Sequence, residues 1–162
     1  MQNLLASIGA SASAQTSVVL AQPSMTDGPI LIVDDNPADV VLTRHAIKKL
    51  KLENPLHVLP GGKQLIAYLK GDGIYHDRKK FPYPVLLLLD LKMPHMDGFD
   101  VLAWLKDHPQ HGAFPVVVLS GSEDLRQANR AYLLGARSFL AKPMDLADFK
   151  NTVEALSIPL EC

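Results

Sequence analysis

Several apolar segments of this 162-residue chain end in a polar side chain that could do chemistry. A short apolar run of this kind is typical of a strand buried on both faces of a parallel sheet. In such sheets, ligands bind outside the carboxyl ends of the strands, which all lie at one edge. We therefore expect three carboxylates, one hydroxyl and one ammonium to converge there, from Asp34, Asp35, Asp90, Ser120 and Lys142.

Three carboxylates at one edge need a compensating positive charge. If Asp34, Asp35 and Asp90 lie within about 5 Å of one another, each pair repels by roughly 3 kcal/mol at an effective dielectric constant near 20. Either protons are taken up, or a hard divalent cation binds among the oxygens. Mg²⁺ suits this site best, because proteins bind it with one or two carboxylates while it keeps several waters.

A cation alone leaves Ser120 and Lys142 unexplained, whereas a phosphoryl group accounts for both. Phosphoryl transfer depends mainly on positioning and on neutralising oxygen charge with metal, ammonium and hydrogen-bond donors. Asp90 could act as a carboxylate nucleophile and form an aspartyl phosphate. The cation would bridge Asp35, Asp90 and one phosphoryl oxygen, while Lys142 and Ser120 would bind the other two.

The source of the phosphoryl group is indicated by a missing motif. Gly61-Gly62 follows a different segment and lacks the Walker spacing, so the sequence has no glycine-rich cradle for a nucleotide. We therefore expect the donor to be a phosphorylated side chain of another protein rather than ATP.

Composition and charge argue against several other classes. The net charge is −1, and the one basic triplet, Arg78-Lys79-Lys80, is interpreted as a solvated loop, so no nucleic-acid partner is expected. The longest apolar runs fall far short of the roughly 20 residues that cross a bilayer, so no membrane partner is expected. The only cysteine is Cys162, which precludes an intrachain disulfide and suits a reducing, cytoplasmic setting.

The pattern of apolar and turn residues predicts five strands alternating with five helices. Asn36 and Pro37 are typical of a helix start, Ser122 is predicted to cap the fourth helix, and Gly135 to end it. The polar segment 71–84 is long enough to be functional or mobile. The predicted fold is an α/β sheet with helices on both faces and right-handed crossovers, with strands near 29–33, 55–59, 85–89, 115–119 and 138–141.

Three regions are expected along the chain. Residues 1–28 are rich in Ala, Ser and Gln and lack the basic start of a secretory signal, so we expect a weakly ordered N-terminal extension. Residues 29–158 form the predicted domain, and 159–162 a C-terminal tail. Without a further output domain, the protein would act through protein contact or phosphate shuttling.

Residues 30–156 closely resemble the receiver domain of two-component response regulators, the CheY-like family. The resemblance implies a flavodoxin-like, doubly wound five-stranded parallel sheet in the order 2-1-3-4-5. The long segment before the central strand, with Asp39 and Leu42, is similar to stand-alone receivers of bacterial phytochrome-type histidine kinases. Four motifs in order carry the resemblance: Leu31-Ile32-Val33-Asp34-Asp35-Asn36, Leu89-Asp90-Leu91-Lys92-Met93-Pro94 with Met96-Asp97-Gly98, Val118-Leu119-Ser120-Gly121, and Leu140-Ala141-Lys142-Pro143.

The resemblance implies a role for each acid of the predicted site. Asp90 would be the phosphoacceptor. Asp35 would bind Mg²⁺ (or Mn²⁺) directly, Asp34 through water, and Lys92 through its backbone carbonyl. On this assignment, Asp35→Ala should weaken magnesium binding far more than Asp39→Ala.

The resemblance also implies how the site would switch and signal. The hydroxyl of Ser120 would move toward the phosphate, and Phe139 stands in place of a switch aromatic that is often Tyr, so it lacks the phenol hydroxyl. Lys142-Pro143 would be a cis peptide. The partners would be a sensor histidine kinase and, through the face made by the fourth helix, fifth strand and fifth helix, a second copy or a target. The protein would not be an enzyme beyond promoting its own phosphorylation and dephosphorylation.

Three other interpretations remain open at this point. A haloacid-dehalogenase-like phosphatase also uses an aspartyl nucleophile after an apolar strand, but it needs a second acid where Lys92 stands. A flavodoxin-like mononucleotide protein would not build its phosphate loop from Asp34-Asp35. An unphosphorylated receiver acting as a scaffold would leave the complete set of site residues without a purpose.

Overall fold

Five parallel strands form the centre of the molecule in a computed structural model that describes residues 28–156. The strand order is β2-β1-β3-β4-β5, and every neighbouring pair is parallel. The predicted five-stranded sheet in the order 2-1-3-4-5 is therefore confirmed. The strands are β1 (Ile30–Val33), β2 (Leu56–Leu59), β3 (Leu86–Asp90), β4 (Val116–Ser120) and β5 (Ser138–Ala141).

Within the described residues, five α-helices alternate with these strands. Two short 3₁₀ turns add to them, at Gly73–His76 and at Pro109–His111. The α-helices are α1 (Pro37–Lys49), α2 (Gly62–Lys70), α3 (Gly98–Asp107), α4 (Leu125–Leu133) and α5 (Leu146–Ala155).

The strand side chains alternate between two apolar cores, one on each face of the sheet. Leu87 and Leu89 of β3 pack with α2, α3 and α4, whereas Leu86 and Leu88 pack with α1 and α5. Each of these four leucines is 0% exposed. A strand buried on both faces needs a continuous apolar sequence, which explains why β3 shows no polar alternation until Asp90.

Side-chain caps hold four of the five described helix starts at the site edge of the sheet, and only α2, which follows Gly61, has none. Asn36 accepts hydrogen bonds from the first turn of α1, as the sequence predicted, and Asp145 caps α5. The prediction that Ser122 caps the fourth helix is wrong: Asp124 is the N-cap, and its carboxylate accepts from the backbone N–H of Arg126 at 2.9 Å. The Ser122 hydroxyl instead accepts from the backbone N–H of Asp124, the N-cap residue itself.

The interpretation of the basic triplet as a solvated loop is wrong for Arg78. Its guanidinium donates to the backbone carbonyls of Tyr68 at 2.7 Å and Leu69 at 2.6 Å, at the end of α2, and to that of Phe81. Carbonyls at a helix C-terminus have no partners within the helix, and a cation there also interacts favourably with the helix dipole. Arg78 thus ties the 71–84 loop to α2, while Lys79 and Lys80 are exposed.

Gly98 lets α3 begin directly against the end of β3. Its N–H donates to the carbonyl of Leu91 at 2.9 Å. A Cβ atom at this position would lie 2.6 Å from the carbonyl oxygen of Asp90 and 2.8 Å from the Cα of Leu91. Because both of these are backbone atoms, only glycine allows this approach, which sets the position of Asp90 relative to the helix start.

The predicted domain boundaries fall at or beyond the ends of the described residues. Residues 1–27 and 157–162 lie outside them, so the predicted extension and tail stay predictions. None of the helices within residues 28–156 is both long and apolar enough to cross a membrane.

Candidate functional site

The ammonium of Lys142 lies among three carboxylates at the carboxyl edge of the sheet. Its Nζ donates to Asp34 Oδ2 at 2.8 Å and to Asp39 Oδ2 at 2.9 Å, and lies 3.1 Å from Asp90 Oδ1. Lys142 follows β5, so these contacts join the ends of β1, β3 and β5. The predicted meeting of Lys142 with Asp34 and Asp90 is present in the structure.

Asp34, Asp35 and Asp90 together offer one oxygen each within 4.8 Å of one another. Asp34 and Asp90 are buried, whereas Asp35 is exposed. The acids flank the point between β1 and β3 where the strand order reverses, which is where doubly wound sheets bind ligands. An all-oxygen, strongly negative donor set of this kind fits a hard divalent cation such as Mg²⁺ or Mn²⁺.

The charge states of Asp90 and Lys142 follow from burial and from their neighbours. Burial, together with the negative charge of Asp34, raises the pKa of the Asp90 carboxyl, although Lys142 and the backbone N–H of Lys92 act against this. Burial by itself would lower the pKa of Lys142. Hydrogen bonds to Asp34 and Asp39 and the charge of Asp90 outweigh it, so the pKa of Lys142 is raised and the side chain is a cation at neutral pH.

Ser120 is placed at this edge by β4. It is 1% exposed and pairs in register with Ala141, while Asp90 pairs with Leu119. The backbone N–H of Lys142 donates to the carbonyl of Ser120 at 2.8 Å. The Ser120 hydroxyl oxygen accepts from the backbone N–H of Ser122 at 3.2 Å. Ser120 therefore lies one residue past Asp90 on the neighbouring strand.

Phe139 and Lys92 lie next to the site without contacting its acids through the side chain. Phe139 is partly buried, pairs with Val118 and packs against the core that contains α3 and α4. The Lys92 side chain is exposed, while its backbone N–H donates to Asp90 Oδ1 at 3.4 Å. The peptide bond between Lys142 and Pro143 is cis, as predicted. The metal role of the Lys92 carbonyl and the switch role of Phe139 stay predictions.

Asp39 lies in the site although no site role was predicted for it. The sequence pointed to Asp39 only as part of the family resemblance and as the weaker comparison for Asp35, yet its carboxylate binds the ammonium of Lys142. The available signal was its position in the first turn of α1, three residues after the Asn36 cap, at the end of the helix that faces the site edge. Asp39→Ala is therefore not a neutral control.

A comparison with protein-family models matches residues 30–154 to the response regulator receiver domain. The chain belongs to the response regulator receiver domain family. Receiver domains are non-catalytic signalling domains that accept a phosphoryl group from histidine kinases. The resemblance carried by the four motifs is thus confirmed, and the phosphatase and mononucleotide-binding alternatives are not favoured.

Relatives of this receiver domain include regulators of phytochrome systems. Response regulator Rcp1 of Synechocystis is 34% identical over 127 residues, covering 78% of this chain and 84% of Rcp1. The Mn²⁺-bound form of Rcp1 superposes with a TM-score of 0.66, covering 81% of this chain and 94% of that one. The bacteriophytochrome response regulator AtBRR is 37% identical with a TM-score of 0.72, covering 81% and 93%. The phosphorylated cyanobacterial phytochrome response regulator RcpA is 31% identical with a TM-score of 0.66, covering 80% and 91%.

Proposed function

We propose that Asp90 accepts the phosphoryl group from a phosphohistidine of a sensor kinase and that the protein then switches its contacts with a partner. The observation that carries this proposal is the meeting of the buried Asp90 carboxylate with the Lys142 ammonium at 3.1 Å, beside Asp34 and Asp35. The solved structure of a phosphorylated relative, RcpA, supports it.

The transfer would be a displacement at phosphorus. A carboxylate oxygen of Asp90 forms a bond to phosphorus as the phosphorus–nitrogen bond breaks, and the imidazole leaves with that electron pair. Lys142 donates to one phosphoryl oxygen and the Ser120 hydroxyl to another, so the residues present neutralise charge where it develops. The Ser120 oxygen accepts from the backbone N–H of Ser122, and its own hydrogen would be the one donated to the phosphoryl oxygen.

Asp34, Asp35, Asp90 and the backbone carbonyl of Lys92 would hold the divalent cation. When bound, Mg²⁺ or Mn²⁺ supplies neutralisation of charge shared between carboxylate and phosphoryl oxygens. The Mn²⁺-bound form of Rcp1 supports this assignment. The protein's own residues would set the geometry, with Asp34 held by the backbone N–H of Asn36 at 2.9 Å.

The kinase is proposed to be phytochrome-type, because AtBRR is described as a bacteriophytochrome response regulator and RcpA as a phytochrome response regulator. Exchange with such a kinase would place the protein in the cytoplasm.

We expect a purified phytochrome-type histidine kinase, labelled on its histidine, to pass label to this protein within the first minute. An unrelated histidine kinase at the same concentration should pass it at least about tenfold more slowly, since partner choice depends on surface complementarity. Equal rates from both kinases would contradict the phytochrome assignment.

The output is proposed to run through the face of α4, β5 and α5. A phosphoryl group adds about two negative charges and new acceptors, which would bias Ser120 and Phe139 between two positions. On α4, the side chains of Leu125 and Leu133 are each 77% exposed and Tyr132 is 48% exposed. Exposed apolar side chains grouped on one helix favour a docking or homodimer surface.

This surface predicts a homodimer that depends on α4. Leu125→Glu combined with Leu133→Glu should shift the phosphorylated protein to a monomer, because each carboxylate would have to be desolvated in the interface. Analytical ultracentrifugation of wild type and variant measures the change. The control is Leu42→Glu on α1, whose leucine is 53% exposed and lies on another helix. A wild type that is monomeric throughout, or a double variant that still dimerises, would contradict this interface.

A further inference from the structure

The contacts of Lys142 give Asp39 a specific place in the site. An ammonium has three N–H donors. Three carboxylate oxygens lie within 3.1 Å of the Lys142 nitrogen, from Asp34, Asp39 and Asp90. The geometry therefore matches one carboxylate to each donor, and Asp39 takes one of the three.

Asp39 differs from the other two acids in position and in exposure. Its side chain is 33% exposed, against 3% for Asp34 and 8% for Asp90. It is carried by the first turn of α1, not by a strand end, and it is not part of the group of three acids whose oxygens lie within 4.8 Å. Asp39 can thus hold Lys142 from the outer side of the site without joining the cation ligands.

The inner acids have two competing uses. Asp34 and Asp90 bind the Lys142 ammonium in the structure, and the same carboxylates would bind a divalent cation. A cation entering the site must therefore loosen one or both of these contacts. An ammonium that keeps one carboxylate partner during this exchange loses less interaction free energy than an ammonium that loses every partner.

We propose that Asp39 is a positioning residue that keeps the Lys142 ammonium at the outer side of the site while Asp34 and Asp90 turn to a divalent cation and a phosphoryl group. The proposal deepens the proposed function and depends on it for the phosphoryl step only. Asp39 acts through Lys142, and it is not itself a ligand of the cation.

The proposal predicts that Asp39→Asn weakens Mg²⁺ binding to the unphosphorylated full-length protein. The amide keeps the shape of the side chain but removes the charge, so Lys142 binds Asp34 and Asp90 more strongly and the cation competes less well. We expect the Kd for Mg²⁺ to increase about threefold to tenfold. This change lies between the effects expected from losing an exposed ion pair and from losing a charge-assisted hydrogen bond. Titration calorimetry with Mg²⁺ alone measures it, and Asp39→Glu should restore most of the affinity.

A double-mutant cycle separates this role from simple loss of negative charge. In a Lys142→Met background, Asp39→Asn should change the Kd by less than about twofold, because there is no ammonium left to hold. The charge control is Asp100→Asn, which removes a carboxylate from the first turn of α3 at the same edge of the sheet and should leave the Kd unchanged. Circular dichroism of each variant verifies folding.

Two outcomes would overturn the positioning role. The first is an unchanged Kd in Asp39→Asn. The second is the same loss of affinity with and without Lys142, which would mean that Asp39 attracts the cation directly. Because the readout is cation binding before phosphorylation, the cycle can fail while Asp90 is still phosphorylated, and it can succeed even if Asp90 proves not to be the acceptor.

Discussion

Asp90→Asn is expected to abolish phosphorylation of this protein. With acetyl phosphate and Mg²⁺, the wild type should gain one phosphoryl group per chain, and the variant should gain none above background, because an amide oxygen is a far weaker nucleophile than a carboxylate. Intact-mass spectrometry measures the gain. Treatment with hydroxylamine should remove it from the wild type, as expected for an acyl phosphate.

The Asn variant should be folded, which makes its loss of labelling interpretable. Burial and the charge of Asp34 raise the pKa of Asp90, so a neutral side chain there relieves repulsion in the cluster. We expect its midpoint of thermal unfolding to equal or exceed that of the wild type. Asp107→Asn is a matched control, since Asp107 is exposed at the last residue of α3, the end away from the site edge, and should be labelled normally. Undiminished labelling of Asp90→Asn would remove Asp90 from the acceptor role.

Asp35→Ala is expected to weaken Mg²⁺ binding about tenfold or more. Lys142 binds Asp34, Asp39 and Asp90. Asp35 is exposed and is the acid of the metal-binding group that does not bind Lys142. A charge-assisted contact to a buried or partly buried partner is worth roughly 1.5–3 kcal/mol, which corresponds to that loss. Calorimetric titration of the unphosphorylated protein with Mg²⁺ gives the Kd.

The control for this measurement has to come from outside the contacts of Lys142. Asp39→Ala does not qualify, because its carboxylate binds Lys142 and its removal should itself lower the affinity by a smaller factor. Asp107→Ala removes one charge from the far end of α3 and should bind Mg²⁺ like the wild type. Equal losses in Asp35→Ala and Asp107→Ala would show that the cation lies elsewhere.

Local sequence patterns predicted most of the fold. Apolar runs that contain no polar alternation, such as 85–89, indicate strands buried on both faces, and the structure buries Leu86 to Leu89 completely. Asn36 was recognisable as a helix cap because it lies within three residues of the N–H groups that it binds. At the start of α4 the prediction chose Ser122 although Asp124, two residues later, is the cap, because the side-chain oxygen of either residue type can bind a free N–H.

Contacts between residues that are far apart in the chain were harder to predict from the sequence. Arg78 was interpreted as solvated, but it binds the backbone carbonyls of Tyr68 and Leu69. Any residue type can supply a carbonyl, so no residue type in the sequence identifies these partners. Its bonds depend on the path of the 71–84 loop back over the end of α2. No local composition predicts that path.

The sequence by itself determined that two strand ends carry three carboxylates between them, that a third strand ends in a hydroxyl and that a fourth is followed by an ammonium. A parallel sheet brings such ends to one edge whatever the details of packing, so the chemistry of the site followed from residue types and order. Only the tertiary structure decided how the single ammonium is shared. Lys142 is 108 residues from Asp34 and 103 from Asp39, and its contact with Asp39 depends on how α1 packs against α5, the helix that follows Lys142 in the chain. That packing brings Asp39 into the site.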